Sequence, residues 1–385
     1  MTQTHLADVG CSMGRRMLHW GPIIALTLIF YIGGVTSWLN LQWWPINSIG
    51  GFIHFTIFLY WNYSTLVNFS AAAYFGPGYL PRNWTTHSGE GVVALQQCSP
   101  CDGFKAPRSH HCSKCARCVL KMDHHCPWIN NCVGHRNHAY FIIFLVSACV
   151  GCTHAAIVIG FSVYHAVNLG WYSRFAAAGS FPVVELTLWS FIASIMGIAL
   201  AAGVAIALGV LLYVQLRIVL ANKTSLEEYI MQKAAHSRDD DESLAPFDYP
   251  YDLGWWRNTT EVLSSWGKTK GNGIWYPTRH PADQFSFTKE QLRQKAQKRE
   301  RARMVVATAD YEGSWWRAVR LGIRPFFCQP LSPDEARVPV KRGDRWMVTR
   351  GQRYWLYGRK VVDGEASELK GWLPRSVVEL LPAEE

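Results

Sequence analysis

The residues best suited to chemistry are the cysteines and histidines between positions 98 and 132. Seven of the chain's 11 cysteines lie in this segment, interleaved with four histidines: Cys98, Cys101, Cys112, Cys115, Cys118, Cys126, Cys132, His110, His111, His124 and His125. Cys-x2-Cys pairs next to a histidine have the spacing of zinc ligands. The segment is short and polar, with little apolar material for a core. We therefore predict that two structural zinc ions, worth roughly 10–16 kcal/mol each in small zinc peptides, fold it.

The segment offers more candidate ligands than two zinc ions need. Two closed tetrahedral sites take eight ligands, so some of the cysteines and histidines are spare. The run Asp123-His124-His125-Cys126 places a thiol within three residues of two imidazoles and a carboxylate. This is the residue set of an activated nucleophile, in which a base removes the thiol proton and an acid orients the base. The alternative, that Cys126 is one more zinc ligand, stays open at this point.

Three long runs without Asp, Glu, Lys or Arg surround this segment, at 17–81, 137–173 and 186–216. A soluble domain needs charge on its exposed faces, so these runs exclude a simple globular enzyme. A transmembrane helix needs about 20 mostly apolar residues. The runs therefore predict four spans: 22–39 and 49–74 in the first run, 139–163 in the second and 186–216 in the third.

Basic residues indicate which side of the membrane the connections face. The connection between the second and third spans is rich in Lys and Arg: Arg82, Lys105, Arg108, Lys114, Arg117, Lys121 and Arg136. Arg15 and Arg16 precede the first span, and Arg217 and Lys223 follow the last. The positive-inside rule then places both termini and the cysteine-rich connection in the cytosol, where disulfides are not expected. The net charge of +10 would meet anionic lipid headgroups, and no nucleic-acid partner is expected.

The cysteine-rich segment resembles that of the DHHC protein S-acyltransferases. The matching pattern is Cys98-x2-Cys101, then Lys105-Ala106-Pro107-Arg108-x2-His111-Cys112-x2-Cys115-x2-Cys118, then Asp123-His124-His125-Cys126-Pro127-Trp128-Ile129-x-Asn131-Cys132-Val133-Gly134. Its one visible departure is Ala106, where proline is commoner.

Three shorter segments outside the cysteine-rich segment resemble further motifs of the same family. After the last span, Thr224-Ser225-Leu226-Glu227 is similar to the TTxE motif, with Ser225 in place of the second threonine. Pro250-Tyr251-Asp252-Leu253-Gly254-x3-Asn258 is similar to the family's C-terminal motif that bears an asparagine. Gly76-Pro77-Gly78 looks like its Asp-Pro-Gly motif without the aspartate.

The resemblance implies an activity and a role for each site residue. One zinc ion would be held by Cys98, Cys101, His111 and Cys118, and the second by Cys112, Cys115, His125 and Cys132. Cys126 would accept a fatty acyl group, palmitoyl in particular, from acyl-CoA and pass it to a cysteine of a substrate protein near the membrane. His124 would be the general base and Asp123 its orienting acid. Thr224, Ser225, Glu227 and Asn258 would support the site, with the Ser225 hydroxyl near the acid.

The tail changes character along its length. The stretch 289–303 is basic and predicts a helix that lies either against lipid headgroups or in solvent. From Met304 onward, short β-type runs and turn signals are similar to an SH3 domain. The whole tail resembles that of the family member with a C-terminal SH3-like domain, a protein of the endoplasmic reticulum. Ala309 and Val377 replace tyrosines that bind Pro-x-x-Pro peptides, so a docking or regulatory role is favoured over the binding of such peptides. We expect the Cys328 thiol to be unreactive.

The predicted fold class is an α-helical membrane protein with four transmembrane helices, a cytosolic zinc-bound cysteine-rich domain and a C-terminal small all-β SH3-like barrel. The boundaries are 1–75 for the first two spans, 76–138 for the cysteine-rich domain, 139–216 for the last two spans, 217–303 for the polar region and 304–385 for the barrel. Two other functions compete with the acyltransferase. A membrane adaptor would lack a use for Asp-His-His-Cys, and a RING-type ubiquitin ligase would have longer loops between ligand pairs.

Overall fold

The computed structural model describes residues 16–86, 95–175, 183–239, 245–264, 270–314, 328 and 336–381. The chain forms two compact units, Met1–Thr288 and Lys289–Glu385. The first contains the long helices and the cysteine-rich segment, and the second contains a β-sheet.

Four long helices dominate the first unit: α1 (Trp20–Trp43), α2 (Ile49–Phe75), α3 (His138–Val167) and, after the short α4 (Leu169–Phe175), α5 (Leu188–Leu220). All four segments predicted as spans are therefore helical. Among the described residues, α1, α3 and α5 are long and apolar enough to cross a membrane. The outer surfaces of the helices expose large apolar side chains, such as Phe30, Ile57 and Ile206. A lipid environment accounts for this exposure, because soluble proteins rarely expose large contiguous apolar patches.

Small and hydroxyl-bearing residues let these helices approach one another. Helix α3 packs against α1, α2 and α5. Ser64 of α2 and Ser147 of α3 share a hydrogen bond of 2.7 Å between their hydroxyls. Gly33 of α1 lies so close to Asn62 of α2 that a Cβ would overlap the amide. Such contacts are typical of helix association in membranes, where lipid competes equally well for apolar surface.

The cysteine-rich segment is built from three short antiparallel hairpins. They are β1 (Gln97–Cys98) with β2 (Gly103–Phe104), β3 (His110–Cys112) with β4 (Arg117–Val119), and β5 (His124–Cys126) with β6 (Asn131–Val133). Strands of two or three residues do not supply a sheet core. The interior of the segment consists mainly of cysteine side chains, with a few apolar side chains such as Leu80, Val119 and Met122.

Two asparagine amides attach this segment to the end of α2. Asn131 donates to the carbonyl oxygen of Ala73 at 3.0 Å, and Asn137 donates to that of Ala72 at 2.9 Å. The last carbonyls of a helix have no partner within the helix, so the amides satisfy them. Gly76 then ends the helix with φ of 67°, a conformation that favours glycine.

The chain beyond α5 packs against the cysteine-rich segment as well. It forms α6 (Ser225–Asp239), α7 (Trp255–Leu263) and α8 (Ser286–Glu300). Tyr251, Tyr276 and Phe287 make a small buried cluster. The predicted basic helix at 289–303 thus coincides with most of α8.

The second unit has one five-stranded antiparallel sheet with the strand order β10-β9-β8-β7-β11. The strands are β7 (Arg303–Ala307), β8 (Arg345–Gly351), β9 (Trp355–Val362), β10 (Glu365–Pro374) and β11 (Val378–Leu380). Its core is built around Trp346 and Trp355, which are fully buried, with Val377 from a 3-10 turn before β11. The β-type character predicted from Met304 onward is therefore confirmed.

Candidate active site and metal centres

Two clusters of three cysteines and one histidine lie in the cysteine-rich segment. Within each cluster the four candidate ligand atoms are all within 4.8 Å of one another. The clusters are Cys98, Cys101, His111 and Cys118, and Cys112, Cys115, His125 and Cys132. The structure thus brings together the same two sets that the family resemblance implies.

The distances within the second cluster fit a tetrahedral zinc ion. Zinc bond lengths place a cysteine sulfur about 3.6 Å from a histidine nitrogen and about 3.8 Å from another sulfur. The Nδ1 atom of His125 lies 3.7, 3.5 and 3.6 Å from the sulfurs of Cys112, Cys115 and Cys132. The sulfurs of Cys115 and Cys132 are 3.6 Å apart. Three thiolates and one imidazole are a common zinc donor set.

Strand alternation explains how neighbouring residues serve different sites. Successive side chains of a strand point to opposite faces. In β3, His111 is opposite Cys118 and belongs to the first cluster, whereas Cys112 belongs to the second. The interleaving of the two ligand sets along the sequence follows from this period of two.

The same alternation separates His124 and Cys126 from the metal cluster. On β5, His125 is opposite Cys132 and faces the second cluster. His124 and Cys126 share the other face of the strand. Cys126 there belongs to the same buried apolar cluster as Phe69 and Phe144 of the helices. The hairpin thus presents a thiol and an imidazole together on the side away from the cluster.

Asp123 lies just before β5 and holds His124. Its Oδ2 atom accepts a hydrogen bond from Nδ1 of His124 at 2.7 Å. The opposite, Nε2 edge of the ring is then not engaged by Asp123, and the Cys126 thiol is near enough to help raise the pKa of His124. Asp123 is almost completely buried. The three residues therefore form a carboxylate–imidazole–thiol series.

Burial and charge oppose each other in this series. Burial lowers the pKa of His124, but the hydrogen bond and charge of Asp123, together with the contact to Cys126, outweigh it and raise the pKa to about 9. Burial raises the pKa of Asp123, but its bonds to His124 and Ser225 hold it below the usual range. Asp123 is thus an anion that stabilises an imidazolium at position 124.

An apolar cavity of about 470 Å3 extends from Cys126 between the helices. All four long helices contribute to its wall, for example Leu28 of α1, Phe58 of α2, Leu145 of α3 and Leu208 of α5. Phe58 is 11 residues before Phe69, which corresponds to about 16 Å along α2. Since Phe69 packs near Cys126, Phe58 lies toward the far end of the cavity. The thiol is therefore at one end of a long apolar space.

Two contacts from outside the cysteine-rich segment hold Asp123. Gln215 of α5 donates to Asp123 Oδ2 at 2.8 Å, and its own amide oxygen lies 3.0 Å from Nε2 of His138. The backbone N–H of Ser225 donates to Asp123 Oδ1 at 2.5 Å. This contact comes from the Ser225 backbone, so it does not depend on the type of side chain at 225. The expectation that the Ser225 hydroxyl lies near the acid stays a prediction.

The Thr224–Glu227 turn is a capping box at the start of α6. The Thr224 hydroxyl accepts from the N–H of Glu227 at 3.2 Å, and the Glu227 carboxylate accepts from the N–H of Thr224 at 2.9 Å. The first N–H groups of a helix lack intrahelical partners, and this reciprocal arrangement satisfies two of them. The turn therefore fixes the position from which the Ser225 N–H reaches Asp123.

Glu227 also forms a buried ion pair with the cysteine-rich segment. Arg108 donates to its two carboxylate oxygens at 2.7 Å each, and both side chains are fully buried. Tyr249 donates to the same carboxylate at 2.7 Å. Burial raises the pKa of Glu227, but the Arg108 charge outweighs it and holds it below the usual range. The guanidinium also lies 4.4 Å from the centre of the Tyr251 ring.

Asn258 connects the tail to the end of α5. Its amide donates to the carbonyl oxygen of Leu220 at 2.7 Å and to the Asp252 carboxylate at 2.7 Å. Its own oxygen accepts from the N–H of Leu253 at 2.9 Å. Asn258 is completely buried, so all of its hydrogen-bonding capacity is directed into the protein.

Comparison with known proteins shows which family has these motifs. The family model described as DHHC palmitoyltransferase matches residues 93–232. The palmitoyltransferase ZDHHC6 of Mus musculus is 40% identical over an alignment of 385 positions, which covers 96% of this chain and 93% of that protein. The chain belongs to the DHHC palmitoyltransferase family.

Further relatives agree with this assignment. ZDHHC6 of Homo sapiens is 39% identical over the same shares of the two chains. A probable protein S-acyltransferase 16 of Arabidopsis thaliana is 30% identical over 63% of this chain and 84% of its own length. The prediction of a DHHC palmitoyltransferase is confirmed: the chain is a membrane enzyme for protein S-palmitoylation.

Several residues that hold the site were not predicted from the sequence. Gln215 contacts Asp123, and His138 contacts Gln215. Tyr249 contacts Glu227. Gln215 had a detectable signal, because a polar side chain in an otherwise apolar span is expensive and often functional. Tyr249 had none, since tyrosines are common in the polar tail.

Proposed function

We propose that Cys126 is the nucleophile of this palmitoyltransferase, with His124 as general base and Asp123 as the acid that orients it. The observation that supports this most is the position of Cys126, which meets His124 on one side and the apolar cavity on the other. A zinc-ligand role for Cys126 is disfavoured, because both clusters already have four ligands without it.

The first half of the reaction transfers the acyl group to the enzyme. His124 accepts the Cys126 proton, and the thiolate attacks the thioester carbonyl carbon of palmitoyl-CoA. The tetrahedral intermediate collapses, the carbon–sulfur bond to CoA breaks, and the CoA sulfur takes the proton from His124. Palmitoyl-Cys126 and free CoA result, and one thioester has replaced another.

The second half transfers the acyl group to the substrate. His124 removes the proton from a substrate cysteine, whose thiolate attacks the acyl-Cys126 thioester. The Cys126 sulfur leaves and recovers the proton from His124. Because CoA leaves before the substrate cysteine reacts with the acyl-enzyme, the enzyme follows a ping-pong scheme. Water must be kept from the intermediate, and the apolar wall near Cys126 supports this exclusion.

We propose that the cavity holds the acyl chain. A sixteen-carbon chain carries about 12 kcal/mol of transfer free energy at about 0.8 kcal/mol per methylene. The acyl chain gains this free energy when it moves from water into the apolar space between the four helices. The thiol at its mouth would then meet substrate cysteines that lie close to the membrane surface.

We propose that the two clusters hold structural zinc ions. Zinc would supply the fold of the cysteine-rich segment and takes no part in the transfer. The ligands are those of the two clusters, and their spacing fits tetrahedral coordination. Thr224, Ser225, Glu227 and Asn258 support the site by positioning the chain after α5 against Asp123.

We propose four membrane spans, with α2 added to the three helices that meet the length and hydropathy requirements. Helix α2 has 27 residues and no charged residue, and its exposed side chains, such as Ile53 and Tyr63, are largely apolar. With four spans, the basic connection 76–138 and both termini face the cytosol. The resemblance of the tail to the family member with an SH3-like domain supports a location in the endoplasmic reticulum membrane.

We propose the domain boundaries 1–75, 76–138, 139–216, 217–303 and 304–385, with the last as an SH3-like barrel. The five antiparallel strands and the buried Trp346 and Trp355 support this assignment. Val377 is buried in the core, and it does not offer the aromatic surface on which a Pro-x-x-Pro peptide stacks. A docking role for partner proteins is therefore favoured.

The test is acyl labelling of the purified enzyme in detergent with labelled palmitoyl-CoA. Wild type is compared with Cys126→Ser, and Cys328→Ser serves as the matched control because Cys328 is an exposed cysteine of the tail. We expect hydroxylamine-sensitive label on wild type and Cys328→Ser, and none on Cys126→Ser at equal zinc content. Equal label on all three proteins would refute the role of Cys126.

A further inference from the structure

The second unit contains a groove between the end of α8 and one face of strands β8 to β10. Its volume is about 430 Å3, within the roughly 300–1,000 Å3 typical of sites for small ligands. Among the described residues that line it, six are cationic and none is acidic. These six define the basic groove: Lys295, Lys298, Arg299, Arg350, Arg359 and Lys370.

Two of these cations lie directly opposite each other in the sheet. Lys370 of β10 pairs with Arg359 of β9, and Arg359 pairs in turn with Met347 of β8. Like charges opposite each other on neighbouring strands destabilise a sheet. A bound anion between them would remove this repulsion, so the pair favours an anionic ligand.

Arg350 is fixed by aromatic rings at the same groove. Its guanidinium lies 4.2 Å from the centre of the Tyr357 ring and 5.6 Å from that of Trp372. A guanidinium that stacks on an aromatic ring loses less freedom when it binds a ligand, and its planar fork matches the oxygens of phosphate. Tyr357 and Thr349 line the groove as well, and each has a side-chain hydroxyl that can form hydrogen bonds.

The end of α8 accounts for some of this charge but not for all of it. Lys298 and Arg299 are in the last turn of α8, where cations interact favourably with the helix dipole. Arg350, Arg359 and Lys370 are on strands, which have only small net dipoles. A helix dipole therefore does not explain why these three cations lie on one face of the sheet.

We propose that the basic groove binds a phosphate-bearing headgroup of an anionic membrane lipid. The chain connects this unit to helices that lie in the membrane, so lipid headgroups are present at a high effective concentration. Clusters of Lys and Arg that reach a membrane surface bind such headgroups with a contribution from each Lys or Arg. This binding site is separate from the palmitoyl transfer described above.

The test measures binding of a fluorescent dioctanoyl phosphatidylinositol bisphosphate to the full-length enzyme in detergent. The variant carries Lys298→Gln, Arg359→Gln and Lys370→Gln. The control carries Lys341→Gln, Arg342→Gln and Arg375→Gln, which are exposed cations of the same unit outside the groove. Both triple variants lose the same charge.

We expect the groove variant to bind the lipid of the order of a hundredfold more weakly, at roughly fivefold for each neutralised residue. The control should stay within about threefold of wild type. Autoacylation by palmitoyl-CoA and zinc content should be unchanged in both variants, which excludes misfolding. Equal weakening in the two variants would show that net charge alone attracts the lipid and would overturn the proposal.

Competition identifies the source of the anion. Free inositol trisphosphate should displace the lipid, since it carries the same phosphate chemistry, but at a higher concentration because it lacks the membrane-anchoring chains. If CoA displaces the probe at a lower concentration than unlabelled lipid does, the groove binds the cosubstrate and the proposal is wrong. If an acidic peptide binds more tightly than the lipid, the groove is a protein-docking site and the proposal is also wrong.

Discussion

Replacement of Glu227 by alanine would remove the acid that joins the Thr224–Glu227 turn to the cysteine-rich segment. Glu227 is fully buried and accepts four hydrogen bonds, two from Arg108 and one each from Thr224 and Tyr249. The substitution leaves the Arg108 guanidinium buried without a counterion. Breaking a buried ion pair in this way costs about 3–5 kcal/mol.

Glu228, the next residue, provides a matched control. It pairs with Lys223 at 2.9 Å, and the two side chains are 39% and 23% exposed. Exposed ion pairs contribute about 0–1 kcal/mol. Glu227→Ala and Glu228→Ala therefore remove the same charge from the same turn of α6, yet we expect the first to lower the thermal midpoint of unfolding far more than the second.

Glu227→Ala should also slow the reaction at the active site. The turn places the Ser225 N–H on Asp123, and a hydrogen bond to a charged group is worth about 1.5–3 kcal/mol. Loss of that bond would slow acyl-enzyme formation roughly tenfold to a hundredfold. Glu227→Gln keeps acceptors for Thr224 and Tyr249 but loses the charge, so its rate should be intermediate.

The assay follows tryptophan fluorescence on heating and the initial rate of labelling by palmitoyl-CoA, with all variants in the same detergent. The reasoning is refuted if Glu227→Ala and Glu228→Ala unfold at the same temperature and label at the same rate. It is also refuted in part if Glu227→Ala is unstable but its folded fraction labels as fast as wild type. In that case the turn would stabilise the fold without positioning Asp123.

Three further predictions concern the site itself. His124→Ala should slow acyl-enzyme formation by about 10²- to 10⁴-fold while zinc content, measured by elemental analysis, stays at the wild-type value; an unchanged rate would exclude His124 as the base. Cys115→Ser should lower the zinc content by one ion per chain and destabilise the enzyme, whereas Cys126→Ser should retain both ions. Equal zinc content in wild type and both variants would contradict the assignment of Cys115 as a zinc ligand of the second cluster. Phe58→Ala should enlarge the far end of the cavity and shift acyl-CoA competition toward chains longer than palmitoyl; an unchanged chain-length profile would show that the acyl chain ends before Phe58.

Two metal sites in the cysteine-rich segment could be predicted from spacing alone, because the Cys-x2-Cys pairs are close together along the chain. Spacing did not assign the eight ligands to the two sites, and the family resemblance implied that assignment. The alternation of β5 explains why His125 joins a cluster and His124 does not. Local spacing therefore predicts the kind of site, and the strand pairing decides which residue faces which cluster.

The contacts that hold Asp123 could not be predicted in the same way. Gln215 is 92 residues away in the sequence and Ser225 is 102. These contacts depend on how the end of α5 lies against the cysteine-rich segment, which no local pattern specifies. The Ser225 contact also uses the backbone, so the type of residue at 225 carries no signal for it.

For the membrane helices, the sequence predicts their positions along the chain but not how they pack. Uncharged runs locate all four helices, because the absence of charge is a property of the sequence alone. The cavity depends on which side chains the helices turn toward one another, for example Leu28 and Leu208 on α1 and α5. That rotation is set by packing between helices, and small residues such as Gly33 influence it only in combination with their partners.

The most direct measurement is to locate the acyl group by tandem mass spectrometry after brief exposure of the wild-type enzyme to palmitoyl-CoA. We predict palmitate on Cys126, with the eight cysteines and histidines of the two clusters unmodified and still holding zinc. Palmitate on Cys115 or Cys132 instead, or only on the exposed Cys328, would contradict the assignment of Cys126 as the nucleophile at the mouth of the cavity.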